Sequence, residues 1–393
     1  MMTTAAVRRR REFQGTALLS YGFRPFFLGA ALWAALGVLL WLPQYFGEMR
    51  VPTHLGALDW HVHEMLYGYA PATIAGFLLT AIPNWTGRLP VNGPSLGALV
   101  ALWLAGRVAL LVSASFGPLA AAIDLTFLIA LAAVAAVEIV AGKNWRNLRV
   151  LLVLSVLIAG NIVFHAEVLL RGSADYGIRI GLAAILMLIA LVGGRIVPSF
   201  TNNWLTRNNP GRLPIPFSRF DAATVGLSAL ALFAWIAAPA HPVAGAILIA
   251  AGALQLVRLA RWAGDRTSGE RLVLVLHVGY FFMPLGFLLT GASALWSAVP
   301  PSVGIHAWTA GAVGLMTLAV MTRASLGHTG QPLTATRGTQ FIYACAVIAA
   351  LTRMAAPFDA TTVLLHVSAC AWVLAFGGFA VAYGPLLMAR RKV

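Results

Sequence analysis

The sequence has few charged residues: Asp, Glu, Lys and Arg together make up 10% of its 393 residues. Soluble globular domains carry roughly a quarter of such residues. Hydrophobic residues make up 60% of the chain, which excludes an intrinsically disordered protein. The two cysteines, Cys345 and Cys370, are too few for a disulfide framework and form no Cys-x-x-Cys motif. The composition therefore favours a polytopic membrane protein.

Long apolar stretches follow one another along the whole chain. A membrane-spanning helix needs about 20 apolar residues, and the sequence contains twelve such stretches. They cover residues 26–46, 61–83, 94–114, 117–141, 149–171, 177–203, 219–238, 241–262, 271–297, 302–326, 336–356 and 360–388. We predict an all-α protein with twelve transmembrane helices in a single membrane domain, 1–393. A polar connection separates six helices at 26–203 from six at 219–388, and the two halves show no convincing repeat.

Acidic residues are scarce, 12 against 27 basic ones, so the formal net charge is +15. Such an excess is compatible with a nucleic-acid partner or with a signal for membrane orientation. When the basic segment 1–25 is placed in the cytoplasm, nearly all basic residues outside the helices fall on that side. The exceptions are Arg50, Arg171, Arg179 and Arg353. The positive-inside rule therefore predicts cytoplasmic N and C termini, with anionic lipid as the partner and no nucleic acid.

Five of the nine histidines share one predicted depth, the outer third of the membrane. They come from four helices and are His61, His63, His165, His306 and His366. Ionisable groups inside a membrane usually face the bundle interior, and imidazole is a common ligand of copper and of haem iron. These histidines are therefore candidate metal or haem ligands. The alternative is that they form ordinary hydrogen bonds between helices.

Three further polar residues lie near these histidines. Glu64 follows His63 directly, and Glu167 lies close to His165. Either carboxylate is a candidate for orienting a ligating imidazole or for carrying protons. Tyr67 lies one helical turn after His63, so its hydroxyl is a candidate for the same site, with packing as the alternative.

Arg107 and Asp124 lie at equal distances from the turn between the third and fourth predicted helices. An antiparallel hairpin places them at the same depth, so we expect a buried ion pair. Contact between Arg107 and a haem propionate is the alternative interpretation.

Several strings of the sequence resemble the NnrS family. They are GFRPFF at 22–27, WHVHEM at 60–65, GFLLTAIPNWTG at 76–87, GRIVPSFT at 194–201 and MTLAVMTRASLGHTG at 316–330. The resemblance extends over nearly the whole chain. It implies a bacterial inner-membrane protein that contains haem and copper. It also implies an association with denitrification and with protection against nitric oxide and nitrosative stress.

A second resemblance, to the catalytic subunit of haem–copper oxidases and nitric oxide reductases, concerns architecture alone. That subunit also has twelve helices with cytoplasmic termini, which would make His61 or His63 a haem ligand and His306 its partner. The sequence departs from it because the seventh helix has no adjacent His pair and the tenth has no His-x-His. These departures argue against ordinary oxygen reduction.

The leading hypothesis is a haem and copper protein that binds nitric oxide and takes part in its redox conversion, with an unknown electron donor. His63 and His306 are the first candidate ligands, and His61, His165 and His366 follow. A copper or small-molecule transporter is the alternative from another class. A sensor that binds nitric oxide without turnover is a third, so the sequence leaves open whether the protein is an enzyme.

Overall fold

The computed structural model describes residues 15–390, and this range contains helices and no strand. Twelve of its helices are long and apolar enough to cross a membrane, so the predicted all-α, twelve-span fold is confirmed. Most of the basic N-terminal segment, including Arg8–Arg11, lies outside the described residues, as do the last three residues.

The twelve spans are numbered α1 to α12 in chain order. The first six are α1 (Phe23–Tyr45), α2 (Ala57–Thr86), α3 (Gly93–Leu111), α4 (Pro118–Ala141), α5 (Trp145–Arg171) and α6 (Tyr176–Asn208). The others are α7 (Arg219–Ala237), α8 (Pro242–Ala260), α9 (Arg271–Leu295), α10 (Pro301–Thr329), α11 (Arg337–Phe358) and α12 (Val363–Met388). Short helical pieces outside them cover Ala17–Ser20, Ser113–Phe116 and Gly264–Arg266.

Several helices extend beyond the predicted apolar stretches. α2 begins at Ala57 instead of 61, and α6 and α10 continue to Asn208 and Thr329. His328, predicted in a connection, therefore lies in the last turn of α10. Hydropathy reports only the part of a helix that suits hydrocarbon, whereas backbone hydrogen bonding continues through the polar residues at either end.

Three spans change from α-helix to π-helix along their length. The π-helical segments are Glu64–Tyr69 in α2, Ile189–Gly193 in α6 and Ala307–Val313 in α10. The three segments are four spans apart along the chain. A comparison between the first six and the last six helices does not detect this spacing. Segments of this kind are rare and are frequently found at functional sites. The first of them adjoins His63 and the third adjoins His306.

The chain forms two compact units. Among the described residues, the first comprises those up to Gly181, Ala324–Gln331 and those from Phe379 onwards, and the second comprises Leu182–Arg323 and Pro332–Gly378. Aromatic side chains pack in the cores of both units. Phe26 and Phe127 are in ring contact in the first unit, and Trp308 packs edge-on against Trp235 and Phe287 in the second.

The hairpin of α3 and α4 lies in the first unit, where a glycine permits close approach of the two helices. A Cβ atom on Gly106 would lie 3.1 Å from both the Cα and the Oδ1 atoms of Asp124. Glycine at this position therefore lets α4 come close to α3 beside Arg107. Arg107 of α3 and Asp124 of α4 face each other across this contact, as the sequence predicts.

A buried cluster of charged and polar side chains

Two adjacent residues of α2, His63 and Glu64, are both completely buried. His63 ends the first α-helical part of the span, and Glu64 begins the π-helical segment. His61 has a different neighbour, because its ring stacks on Trp41 with the ring centroids 4.1 Å apart. The two imidazoles of α2 therefore have different surroundings.

Asp124 lies at the centre of a buried polar cluster in the first unit. One carboxylate oxygen, Oδ1, accepts a hydrogen bond from Arg107 Nη2, so the predicted buried ion pair is confirmed. The other, Oδ2, accepts hydrogen bonds from Asn161 Nδ2 at 2.8 Å and from His165 Nε2 at 3.0 Å. His63 Nε2 lies 3.3 Å from the same oxygen. Helices α2, α3, α4 and α5 thus meet at one carboxylate.

Glu64 joins a further set of side chains to this cluster. Its Oε2 atom accepts hydrogen bonds from Arg107 Nη1 and from Trp33 Nε1, both at 2.7 Å. Its Oε1 atom lies 3.1 Å from His63 Nδ1. Glu64 therefore contacts the imidazole that the sequence suggested it would orient. Arg107 bridges Glu64 and Asp124, so one guanidinium holds two carboxylates in place.

Both nitrogens of the His63 ring face hydrogen-bond acceptors. Nδ1 faces Glu64 Oε1, and Nε2 lies 3.1 Å from Asn161 Oδ1. The Asn161 amide is oriented by its own donation to Asp124, which turns Oδ1 towards His63. Because these oxygens accept hydrogen bonds, both contacts are satisfied together when both ring nitrogens carry protons, as in an imidazolium. Two carboxylates then balance one guanidinium and one imidazolium, as burial of charge requires.

Three of these residues could hold a metal ion. His63, Asp124 and His165 each offer one ligand atom, and these atoms all lie within 4.8 Å of one another. The two Nε2 atoms lie 3.3 Å and 3.0 Å from Asp124 Oδ2. Two ligands of one tetrahedral ion, each bonded at about 2.1 Å, lie about 3.4 Å apart. The spacing therefore fits an ion after small side-chain movements.

The donor set of two imidazoles and a carboxylate suits transition metals such as copper, zinc or iron. An ion at this position would replace the Nε2 proton of His63, so part of its charge is already balanced by the surrounding residues. A haem is a poorer fit at His63. Both nitrogens of this completely buried ring already lie within 3.3 Å of side-chain oxygens, and a porphyrin would displace those side chains.

Two predicted site residues have other contacts. The Glu167 carboxylate accepts hydrogen bonds from the backbone N–H groups of Asp175, Tyr176 and Gly177, at 3.0, 3.0 and 2.8 Å. It therefore satisfies free N–H groups at the start of α6. The Tyr67 hydroxyl donates a hydrogen bond to the Gly177 carbonyl at 2.6 Å, while the Tyr67 ring lies 5.3 Å from that of His63.

The other two candidate histidines lie in the second unit. His306 is partly buried, and its Nδ1 atom lies 2.6 Å from the Ser302 carbonyl oxygen on the same helix. His366 is exposed, and its Nδ1 atom lies 2.9 Å from the Thr362 carbonyl oxygen. Each ring is thus oriented by the backbone one turn earlier, and a ligand role for either one stays a prediction.

Sequence reasoning missed two members of the cluster, Asn161 and Trp33. Asn161 precedes His165 by four residues, so the two share a face of α5, and this spacing is a signal that was available. Trp33 lies in the middle of a strongly apolar helix. From the sequence alone, a tryptophan whose indole N–H donates to a buried carboxylate cannot be distinguished from one that only packs.

A second buried polar network, also missed, lies in the second unit. Arg258 donates hydrogen bonds to Asp221 Oδ1 at 3.2 Å, to the Tyr280 hydroxyl at 2.9 Å and to the Ala190 carbonyl at 3.1 Å. Tyr280 in turn donates to Gln255 Oε1 at 2.9 Å. Because Ala190 belongs to the π-helical segment of α6, this network stabilises that irregular segment.

Gly68 permits the close approach of Arg107 to the π-helical segment of α2. A Cβ atom there would lie 2.5 Å from Arg107 Nη1 and 3.1 Å from Glu64 Oε2. We expect Gly68→Ala to destabilise the protein by about 1–3 kcal/mol through overpacking. Gly226→Ala is the control, because a Cβ at Gly226 has nothing within 4 Å. Thermal unfolding in detergent measures both, and equal melting temperatures for the two variants would contradict the expectation.

The model of the family described as NnrS protein matches residues 17–391. No curated protein matches the chain.

Proposed function

Because the chain belongs to the NnrS family, we propose that it is a metal protein that binds nitric oxide inside the membrane. The proposal places a copper ion at His63, Asp124 and His165. The observation that carries it is the convergence of these three buried side chains from α2, α4 and α5. The choice of nitric oxide as the ligand comes from the family resemblance. The cluster provides the residues for a metal ion to which nitric oxide can bind.

The surrounding residues prepare the site for a metal ion. Glu64 fixes the His63 ring through Nδ1, and Arg107 fixes both carboxylates. His63 is completely buried and His165 is 3% exposed, so the protein excludes bulk water from the ligand atoms. A bound copper ion would supply an open coordination position for nitric oxide, since the protein offers three ligands. Nitric oxide is small and apolar enough to arrive through the lipid, so the site needs no polar channel.

Haem remains part of the proposal, at a separate position. His306, His61 and His366 are the remaining candidates for its axial ligand, and His306 is the first choice. Like His63, His306 directly precedes a π-helical segment, and its Nδ1 atom meets a backbone carbonyl. Such a contact orients the imidazole ring, as the partners of ligating histidines commonly do.

The proposal also includes a location and an orientation. We place the protein in the bacterial cytoplasmic membrane with both termini inside, on the distribution of basic residues. The buried cluster then lies in the outer third of the bilayer, and anionic lipid contacts the basic cytoplasmic side. Conversion of nitric oxide would require an electron donor, which the proposal leaves unidentified.

Absorption and electron paramagnetic resonance spectra of the purified, reduced protein test the proposal. We expect copper in the metal analysis, a Soret band from haem, and a spectral change when nitric oxide is added. A copper-loaded protein whose spectra do not respond to nitric oxide would contradict the proposed function. Metal uptake into vesicles by protein without haem would favour the transporter instead. Steady consumption of nitric oxide with a reductant would distinguish an enzyme from a sensor.

A further inference from the structure

Asn161 lies in α5, one helical turn before His165, and its side chain is completely buried. Residues four apart share a helix face, and both of these side chains meet Asp124 Oδ2. Gly160, directly before Asn161, lets α2 approach this part of α5, because a Cβ atom there would lie 2.6 Å from the Tyr67 hydroxyl oxygen. Close packing therefore fixes the face that α5 turns towards the buried cluster.

The oxygen and the nitrogen of the Asn161 amide group are distinguished by their neighbours. An ionised carboxylate only accepts hydrogen bonds, so the amide atom that lies 2.8 Å from Asp124 Oδ2 is the nitrogen, Nδ2. The amide oxygen, Oδ1, then lies 3.1 Å from His63 Nε2. Asn161 thus presents an oxygen lone pair to the ligand atom of His63.

Two oxygens surround His63 Nε2, Asn161 Oδ1 at 3.1 Å and Asp124 Oδ2 at 3.3 Å. Both are acceptors for a proton on Nε2, and metal binding replaces that proton with the ion. Two ligand atoms of one tetrahedral ion, each bonded at about 2.1 Å, lie about 3.4 Å apart. Both oxygens have nearly this spacing from Nε2, so an ion that replaces the proton would meet both of them.

We propose that Asn161 Oδ1 is a fourth ligand of the buried copper ion and that nitric oxide displaces it. The inference rests on the proposed function, because it needs copper at His63, Asp124 and His165. Some copper sites have an amide oxygen of this kind as a weak axial ligand. The bond between copper and Oδ1 breaks as the bond to nitric oxide forms, and this exchange needs no proton or electron. Asn161 therefore covers the position that nitric oxide takes.

The charge of the cluster favours a neutral fourth ligand. When His63 is protonated, the carboxylates of Glu64 and Asp124 balance the charges of His63 and Arg107. Replacement of the Nε2 proton by Cu⁺ keeps this balance, which burial of charge requires. The Asn161 amide adds no charge to it. A carboxylate as fourth ligand would add a negative charge and would hold the ion more firmly.

The Cu²⁺ spectrum tests whether Asn161 is a ligand. Asn161→Leu keeps a side chain of similar size and removes the oxygen, so we expect the full-length protein in detergent to bind copper through its three remaining ligands. Its electron paramagnetic resonance spectrum should have changed g and hyperfine values. Asn161→Ala serves the same purpose if the Leu variant does not fold. A spectrum identical to that of the wild type in the variant that folds would overturn the inference.

Titration of the reduced, copper-loaded protein with nitric oxide tests the displacement. We expect Asn161→Leu to bind nitric oxide about tenfold more tightly, as it would if the position is open in roughly a tenth of wild-type molecules. Asn161→Asp should have the opposite effect, since a carboxylate is displaced less easily. A residue that only orients Asp124 would give no such opposite shifts. Equal nitric oxide affinity of the wild type and both variants would therefore overturn the proposal.

Asn147→Leu is the matched control. Asn147 is a buried asparagine of the same span, and its Nδ2 atom donates to Asn144 Oδ1 at 3.0 Å. We expect the wild-type copper spectrum and nitric oxide affinity from this variant. The same changes in Asn147→Leu as in Asn161→Leu would contradict a specific role of Asn161. Wild-type protein that binds no copper would instead refute the proposed function.

Discussion

Replacing Asp124 with alanine is expected to destabilise the protein by about 3–5 kcal/mol, the usual result of removing one partner from a buried ion pair. Asp124 accepts hydrogen bonds from Arg107, Asn161 and His165, and it is 2% exposed. Without it, Arg107 and the His63 ring share only the Glu64 carboxylate. Thermal unfolding in detergent, in the absence of added metal, measures the effect separately from metal binding.

The exposed ion pair of Arg88 and Glu138 is the control for this substitution. Arg88 Nε donates to Glu138 Oε2 at 2.6 Å, but the Arg88 side chain is 43% exposed. Water and salt screen such a pair, so Arg88→Ala should leave the melting temperature nearly unchanged. If Asp124→Ala lowers the melting temperature no more than Arg88→Ala does, the cluster does not contribute to stability as described.

Replacing His63 or His165 with alanine is expected to abolish stoichiometric copper binding. Loss of a hydrogen bond to a metal ligand typically lowers metal affinity by roughly 10–100-fold. Each of these changes removes one of the three ligand atoms themselves, so copper affinity should fall by more than that. Equilibrium titration with Cu²⁺ and metal analysis after gel filtration measure the result. Circular dichroism verifies that the helical content is retained.

His366→Ala is the matched control for the ligand variants. His366 is an exposed histidine of α12, and its Nδ1 atom lies 2.9 Å from the carbonyl oxygen of Thr362, which directly precedes that helix. We expect this variant to bind copper as the wild type does. Full copper binding by both His63→Ala and His165→Ala would show that the metal site is not in the buried cluster. His306 and His366 would then be the next candidate ligands.

The sequence predicted much of the cluster, although not its arrangement. Arg107 and Asp124 were paired correctly because two helices joined by a short turn must place equidistant residues at one depth. His63 and Glu64 were also identified, since ionisable residues inside an apolar segment are rare enough to be conspicuous. Asp124 was interpreted only as the partner of Arg107, because depth alone does not reveal which side chains of α2 and α5 reach it.

Glu167 illustrates the limit of such reasoning. Its depth near His165 made it a candidate for the same site, but its carboxylate accepts three backbone hydrogen bonds at the start of α6. Depth along a helix is readable from residue number, whereas the direction of a side chain depends on the rotation of the helix about its axis. That rotation is set by packing against neighbouring helices.

The amino-acid sequence by itself determined the number of spans, their order and the scarcity of charge within them, because apolar length is a local property of the chain. Only the tertiary structure decided which histidines lie beside Asp124. Packing sets the rotation of each helix, and the π-helical segment of α2, which no hydropathy pattern predicted, changes the direction of the residues beyond His63. Since burial makes unpaired charges costly, Glu64, Arg107 and Asp124 could be accommodated inside the first unit only where they balance one another.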